Sequence, residues 1–160
     1  MIRSRHLLAA TALALALGLS ATPATAQRFL PIEGKFTTSF VLTPTATPGV
    51  FSLSIDSQGI ASHLGLTVGS STHTVDMTGT PTVQFGSTTY IAANGDRLFA
   101  HYSGTASAPN ASGVITFSGT QTFTGGTGRF HGATGSTSMQ GTANLATSTG
   151  EFAFSGTISK

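Results

Sequence analysis

The residues of this chain best suited to acid–base or metal chemistry are four histidines beyond residue 26: His63, His73, His101 and His131. None is one, three or four positions from another, so no local pair of metal ligands forms and no metal or other cofactor is called for. A site assembled through space from distant strands stays open. A second group combines Asp96 and Arg97, just after Asn94-Gly95, with Arg129 in a glycine-rich stretch. Arginine can clamp a carboxylate with two parallel hydrogen bonds, so this group could orient an anionic ligand. The plainer alternative is turn chemistry for Asp96 and a surface ion pair for Arg129. Glu33 and Asp56 could act as general bases only if buried. His63, His101, Asp96, Arg129 and Tyr102 are taken as candidate ligand contacts, with no catalytic residue assigned.

Absences narrow the chemistry further. The chain has no cysteine, which excludes thiolate catalysis, cysteine zinc sites and a disulfide framework. There is no Gly-x-Ser-x-Gly nucleophile elbow. Two tyrosines and no tryptophan leave little for the aromatic platforms on which sugars stack.

The N-terminus has the pattern of an export signal. Arg3 and Arg5 precede an almost unbroken Leu and Ala run from Leu7 to Leu19, and Ala24-Thr25-Ala26 ends it. A basic start, a short apolar run and an Ala-x-Ala end mark a cleaved signal peptide over residues 1–26. The run is shorter than the roughly 20 apolar residues that span a bilayer, and no other follows. The expected mature chain begins at Gln27, is periplasmic or extracellular, and has no membrane span. Its charges are Arg28, Lys35, Arg97, Arg129 and Lys160 against Glu33, Asp56, Asp76, Asp96 and Glu151. They cancel and do not cluster, which argues against nucleic acid as a partner.

These residues need a scaffold, and the sequence points to strands. Thr, Ser and Gly dominate after residue 26, and no helical periodicity is present. Apolar residues recur with period two: Phe36, Phe40 and Leu42; Phe51, Leu53 and Ile55; Leu64, Leu66 and Val68; Val75 and Met77. Val83, Phe85 and Ile91 mark another segment, then Leu98, Ala100 and Tyr102, then Ile115, Phe117 and Phe123, and last Phe152, Phe154 and Ile158. Turn residues separate these segments, and Asn94-Gly95 suits the positive-φ positions of a type I′ hairpin. A Gly-Thr pair recurs in Thr78-Gly79-Thr80, Ser103-Gly104-Thr105, Ser118-Gly119-Thr120, Gln140-Gly141-Thr142 and Ser155-Gly156-Thr157. Irregular spacing excludes a solenoid, and the glycines read as bends at strand corners. The expectation is an all-β fold of about eight antiparallel strands in one barrel over residues 34–160, with 27–33 as an extension.

The stretch Phe123 to Gly135 matches neither a dinucleotide fingerprint nor a phosphate loop, since the sixth place from Gly126 is His131 and no Gly-Lys-Ser/Thr follows. Calcium-binding β-rolls require Asp in tandem units, absent here. The run Gly125-Gly126-Thr127-Gly128-Arg129-Phe130, with the later Gly135, resembles the signature of dirigent proteins and the wider allene oxide cyclase-like barrels. Ala61-Ser62-His63-Leu64-Gly65, Ala93-Asn94-Gly95-Asp96 with Leu98, and Tyr102-Ser103-Gly104-Thr105 look like phrases of small exported bacterial proteins of that type. The resemblance covers most of residues 34–158. It implies an eight-stranded antiparallel barrel with a central cavity, often trimeric in plant members, hence a homo-oligomer. Those families steer cyclisation or radical coupling with acidic residues or Asp and Arg in the cavity, and none of these matches a position here. The glycine-rich loop (Gly125, Gly126, Gly128, Phe130 and Gly135) reads as architecture, with Phe130 packing inward.

Three functions remain, in order. The first is a binding protein that holds a small apolar or amphipathic ligand in the barrel. The second is a structural or surface protein with a solid core. The third is an allene oxide cyclase-like isomerase or cyclase. A perturbed Asp, Glu or His in a cavity would favour the enzyme over simple binding.

Overall fold

Eight antiparallel strands close into a barrel in the computed structural model, which describes residues 28–160. The expected signal peptide, residues 1–26, and Gln27 lie outside the described residues. The strands are β1 (Phe29–Pro44), β2 (Val50–Ala61), β3 (Gly65–Asp76), β4 (Thr82–Ile91), β5 (Arg97–Ala106), β6 (Val114–Gly126), β7 (Thr134–Asn144) and β8 (Thr149–Ser159). Each pairs with its neighbours in sequence, and β8 returns to β1. One 3₁₀ turn, Gly128–Phe130, interrupts the path between β6 and β7. Residues 29–33, expected as an extension, are the first rungs of β1: Phe29 pairs with Ser159 and Glu33 with Ser155.

The register fixes the shape. One row of paired residues runs Leu42–Leu53–His73–Gly86–Tyr102–Gln121–Thr137–Gly156 around the wall. It returns to β1 at Ile32, ten residues below Leu42. Eight strands with such a stagger tilt steeply, by about 35–45°, and enclose an interior that side chains fill or that holds one small ligand.

The two ends of that interior differ. At the lower end, Ile32, Leu64, Leu98, Phe130, Ala133 and Ile158 are buried almost completely. Above them Phe36, Tyr90, Phe152 and Phe154 form an aromatic layer, with Phe36 stacked on Phe152 at 5.0 Å between ring centroids. The upper end, ringed by the loops 45–49, 77–81, 107–113 and 145–148, has no such plug among the described residues.

Several local expectations change. On β3 the inward face is Thr67, Ser71, His73 and Val75, while Leu66 and Val68 point outward, 70% and 51% exposed. On β4 Gln84, Thr88 and Tyr90 point inward, while Val83 and Phe85 point outward. Apolar alternation therefore marks the outer face of both strands. The Asn94-Gly95 connection is not a type I′ turn. Only Gly95 has positive φ, at 87°, and its amide donates to the Ala92 carbonyl at 2.8 Å, the pattern of a type I turn closed by a left-handed glycine. Gly104, Gly119, Gly141 and Gly156 lie inside strands, and Gly79 lies in the bend between β3 and β4.

Candidate functional site

The upper half of the barrel holds a cavity of about 80 Å³, several times the roughly 10–15 Å³ that one water needs. One wall is apolar: Phe40 and Leu42 from β1, Leu53 and Ile55 from β2, Ile115 and Phe117 from β6, and Phe152 from β8. The opposite wall is polar, with Ser71 and His73 from β3, Gln84 and Thr88 from β4, Tyr102 from β5 and Gln121 from β6. Met77 and Leu145, both exposed, stand at the mouth.

Half of the polar wall, Ser71, Thr88 and Gln121, is internally satisfied. The Ser71 and Thr88 hydroxyls lie 2.9 Å apart, and Gln121 Nε2 donates to the Tyr90 hydroxyl at 2.6 Å. Thr137 Oγ1 donates to Gln121 Oε1 at 3.4 Å. Burial pushes the Tyr90 pKa up, and the Gln121 bond offsets this only in part.

Gln84 makes no side-chain hydrogen bond to the described residues, and His73 and Tyr102 end in fully buried polar atoms that make none. The His73 and Tyr102 side chains are 6% and 3% exposed. Neither His73 ring nitrogen nor the Tyr102 hydroxyl has a hydrogen-bond partner among the described residues. Each such group costs about 1–3 kcal/mol relative to a satisfied one, and native interiors contain few. Burial holds the His73 pKa down to about 4 and pushes Tyr102 up to about 12, so both are neutral at pH 7. The rings stack at 5.1 Å with 14° between planes.

The glycines explain that stack. His73 and Tyr102 flank Gly86 on one row, two strands apart, and a bare glycine between them lets the rings lean together. A Cβ on Gly86 would strike the Thr72 carbonyl, and the His73 ring edge would lie 2.6 Å or less away. The Tyr102 ring lies over Gly104 and Gly119, which pair across β5 and β6. A Cβ on Gly104 would meet the Tyr102 hydroxyl, and one on Gly119 would come within 2.7 Å of its ring. The recurring Ser-Gly-Thr of these strands is thus a seat for an aromatic ring.

Of the candidates read from the sequence, only Tyr102 lines the cavity. His101 points outward, its Nδ1 3.1 Å from Ser87 Oγ. His63 sits in the lower turn at φ 64°, with Nε2 2.9 Å from the Pro31 carbonyl. Histidine tolerates that left-handed backbone better than most residues. Asp96 and Arg129 meet at the closed end, 3.7 Å apart. Asp96 accepts from Asn94 Nδ2 at 2.8 Å and from the Arg129 amide at 3.2 Å; these bonds, then the Arg129 charge, hold its carboxyl below the usual range. Gly128, at φ 53°, lets Asp96 approach: any Cβ there would collide with the carboxylate. The glycine-rich loop thereby delivers Phe130 into the lower core, with Arg129 and Lys160 5.2 and 5.5 Å from its ring centre.

His73, one of the four histidines noted in the sequence, is the site residue that was not among the candidate ligand contacts. It lies two positions before Val75, on the same inward parity, and that spacing was the available signal. Among the described residues no cluster of three metal-ligating side chains exists. Comparison with protein-family models, with curated proteins and with solved structures finds no match in any of the three.

Proposed function

We propose that this chain is an exported barrel that binds a small apolar or amphipathic ligand in its upper cavity. The observation that carries the reading is the pairing of an apolar wall with His73 and Tyr102, whose buried polar atoms no protein group satisfies. A solid structural barrel would have little reason to retain them, since apolar side chains of similar shape avoid the cost. The outer wall of β6 and β7 carries Thr116, Ser118, Thr120, Thr122, Ser136 and Ser138. Outward apolar residues gather on β1 to β4, among them Val41, Ile60, Leu66, Val68 and Phe85, so the outer wall is apolar on one side and hydroxylated on the other, unlike the continuous apolar belt of a lipid-facing barrel. Export rests on the N-terminal pattern, and membership of the allene oxide cyclase-like barrels, with a homo-oligomeric state, rests on the glycine-rich run.

An isomerase or cyclase is the second reading, and His73 favours it, being a perturbed titratable group in a cavity. A base with a pKa of about 4 is weak at neutral pH, however, well below the value suited to proton abstraction there. Among the described residues no carboxylate lines the cavity to raise it. Binding therefore ranks first. Mass spectrometry of an organic extract from natively purified mature protein tests it. A stoichiometric small molecule absent from a mock purification is the expected result; a clean extract moves the structural reading to first place.

A further inference from the structure

We propose that the ligand is an uncharged amphiphile whose polar group is a hydroxyl, received by His73 and Tyr102. This rests on the binding reading above and specifies the chemistry of the same site.

Charge is excluded first. Among the described residues, no Asp, Glu, Lys or Arg lines the cavity. A phosphate or ammonium drawn to the polar wall would meet no opposite charge, and a carboxylate would meet one only by protonating His73, which burial disfavours, at a cost of several kcal/mol per ion. An ionic amphiphile held with its head in water at the mouth would leave the two side chains unmet.

The hydroxyl follows from donor and acceptor counting. Neutral His73 presents one N–H donor and one bare nitrogen acceptor, and the Tyr102 hydroxyl can do either. An alcohol both donates and accepts, so it can give its proton to the bare nitrogen while accepting from Tyr102. An ether or ketone only accepts, which leaves that nitrogen unmet. A site built to hydrogen-bond a hydroxyl rejects analogues lacking it far more strongly than an apolar pocket rejects a missing methylene. The apolar wall, from Phe40 to Phe152, takes the body of the molecule.

Calorimetric titration of the mature protein at pH 7.5 with four matched compounds tests this: 1-octanol, 1-methoxyheptane, octanoate and octylammonium. Octanol should bind at least tenfold more tightly than the ether and about a hundredfold more tightly than either ion. Tyr102→Phe and His73→Leu should each bring the alcohol-to-ether ratio towards one, with circular dichroism confirming an intact barrel. If the ether equals the alcohol, or an ion binds within tenfold of it, the hydroxyl assignment is wrong while the binding cavity stands. If none of the four binds the folded protein, both readings fall.

Discussion

The lower and upper halves of the barrel are built from the same eight strands and differ in what fills them. Below, Phe130 enters from the glycine-rich loop and seals the end with Leu64, Leu98 and Ile158, each almost wholly buried. The polar groups nearby, Asp96, Asn94 and Arg129, stay at the surface and satisfy one another. Above, three strands turn Ser71, His73, Gln84, Thr88 and Tyr102 inward, and two of these end in buried atoms without protein partners. Ser159 Oγ is the lower end's single counterpart among the described residues. One half is a foundation; the other retains unmet polar capacity that costs stability. Such concentration of cost in one region is typical of functional sites.

Truncation should separate the halves most sharply. Phe130→Ala removes a fully buried ring from a packed end and should cost about 4 kcal/mol. Phe40→Ala removes a partly buried ring from the cavity wall and should cost under about 2 kcal/mol. Urea unfolding of both variants measures the difference, and equal losses would mean that the upper half is packed as tightly as the lower.

Acid should act through the upper half next. The His73 pKa falls from 6.5 to about 4 on folding, so between those values the unfolded chain binds the extra proton. Stability contributed by neutral His73 is complete above pH 6.5 and is lost as pH falls towards 4, amounting to about 3 kcal/mol. Leu53, Gln84, Gly86 and Tyr102 face the ring from the neighbouring strands, and none carries a charge that could offset it. Asp76 and Asp96 have lowered pKa values and act only at still lower pH. Denaturant titrations from pH 7.5 to 4 should therefore show a slope that His73→Gln abolishes. An unchanged slope in that variant would place the titrating group elsewhere.

The two halves also differed in how legible they were in the sequence. The lower end was readable because its inward residues are apolar: Phe36, Leu98, Phe123, Phe154 and Ile158 alternate with small polar residues, and Phe130 follows a distinctive glycine run. The polar wall inverted that rule. On β3 and β4 the cavity takes Thr, Ser, His and Gln, and the apolar Leu66, Val68, Val83 and Phe85 lie outside, so period-two reading chose the wrong face. His73, within Ser70-Ser71-Thr72-His73-Thr74, carries no motif, and its importance comes from Gly86 and Tyr102 across the sheet. Pairing register is not written in any local window. Asp96 and Arg129 stood out for their charge, and the fold uses them as a strut beneath the plug.

Tyr102→Phe should move stability and binding in opposite directions. The hydroxyl is buried without a protein partner, so deleting it removes a desolvated group while the ring keeps its seat on Gly104 and Gly119. The variant should be more stable than the parent by about 1 kcal/mol and should hold an alcohol less tightly. A destabilised variant would show that the hydroxyl has a partner in the folded protein, and would remove one of the two contacts on which the site rests.

The smallest effect is expected at the closed end. Arg129→Ala removes an exposed ion pair with Asp96, one hydrogen bond to Asn94 at 3.1 Å and the stacking of a guanidinium near Phe130. Exposed pairs contribute little, and the loop keeps its backbone bonds, from the Thr127 amide to the Arg97 carbonyl and from the Arg97 amide to Thr127 Oγ1. The melting temperature should stay within about 2 °C of the parent. Ligand affinity should be unchanged, because the whole aromatic layer of Phe36, Tyr90, Phe152 and Phe154 lies between Arg129 and the cavity. A loss of affinity in this variant, with melting unchanged, would move the binding site to the end of the barrel that the structure shows closed.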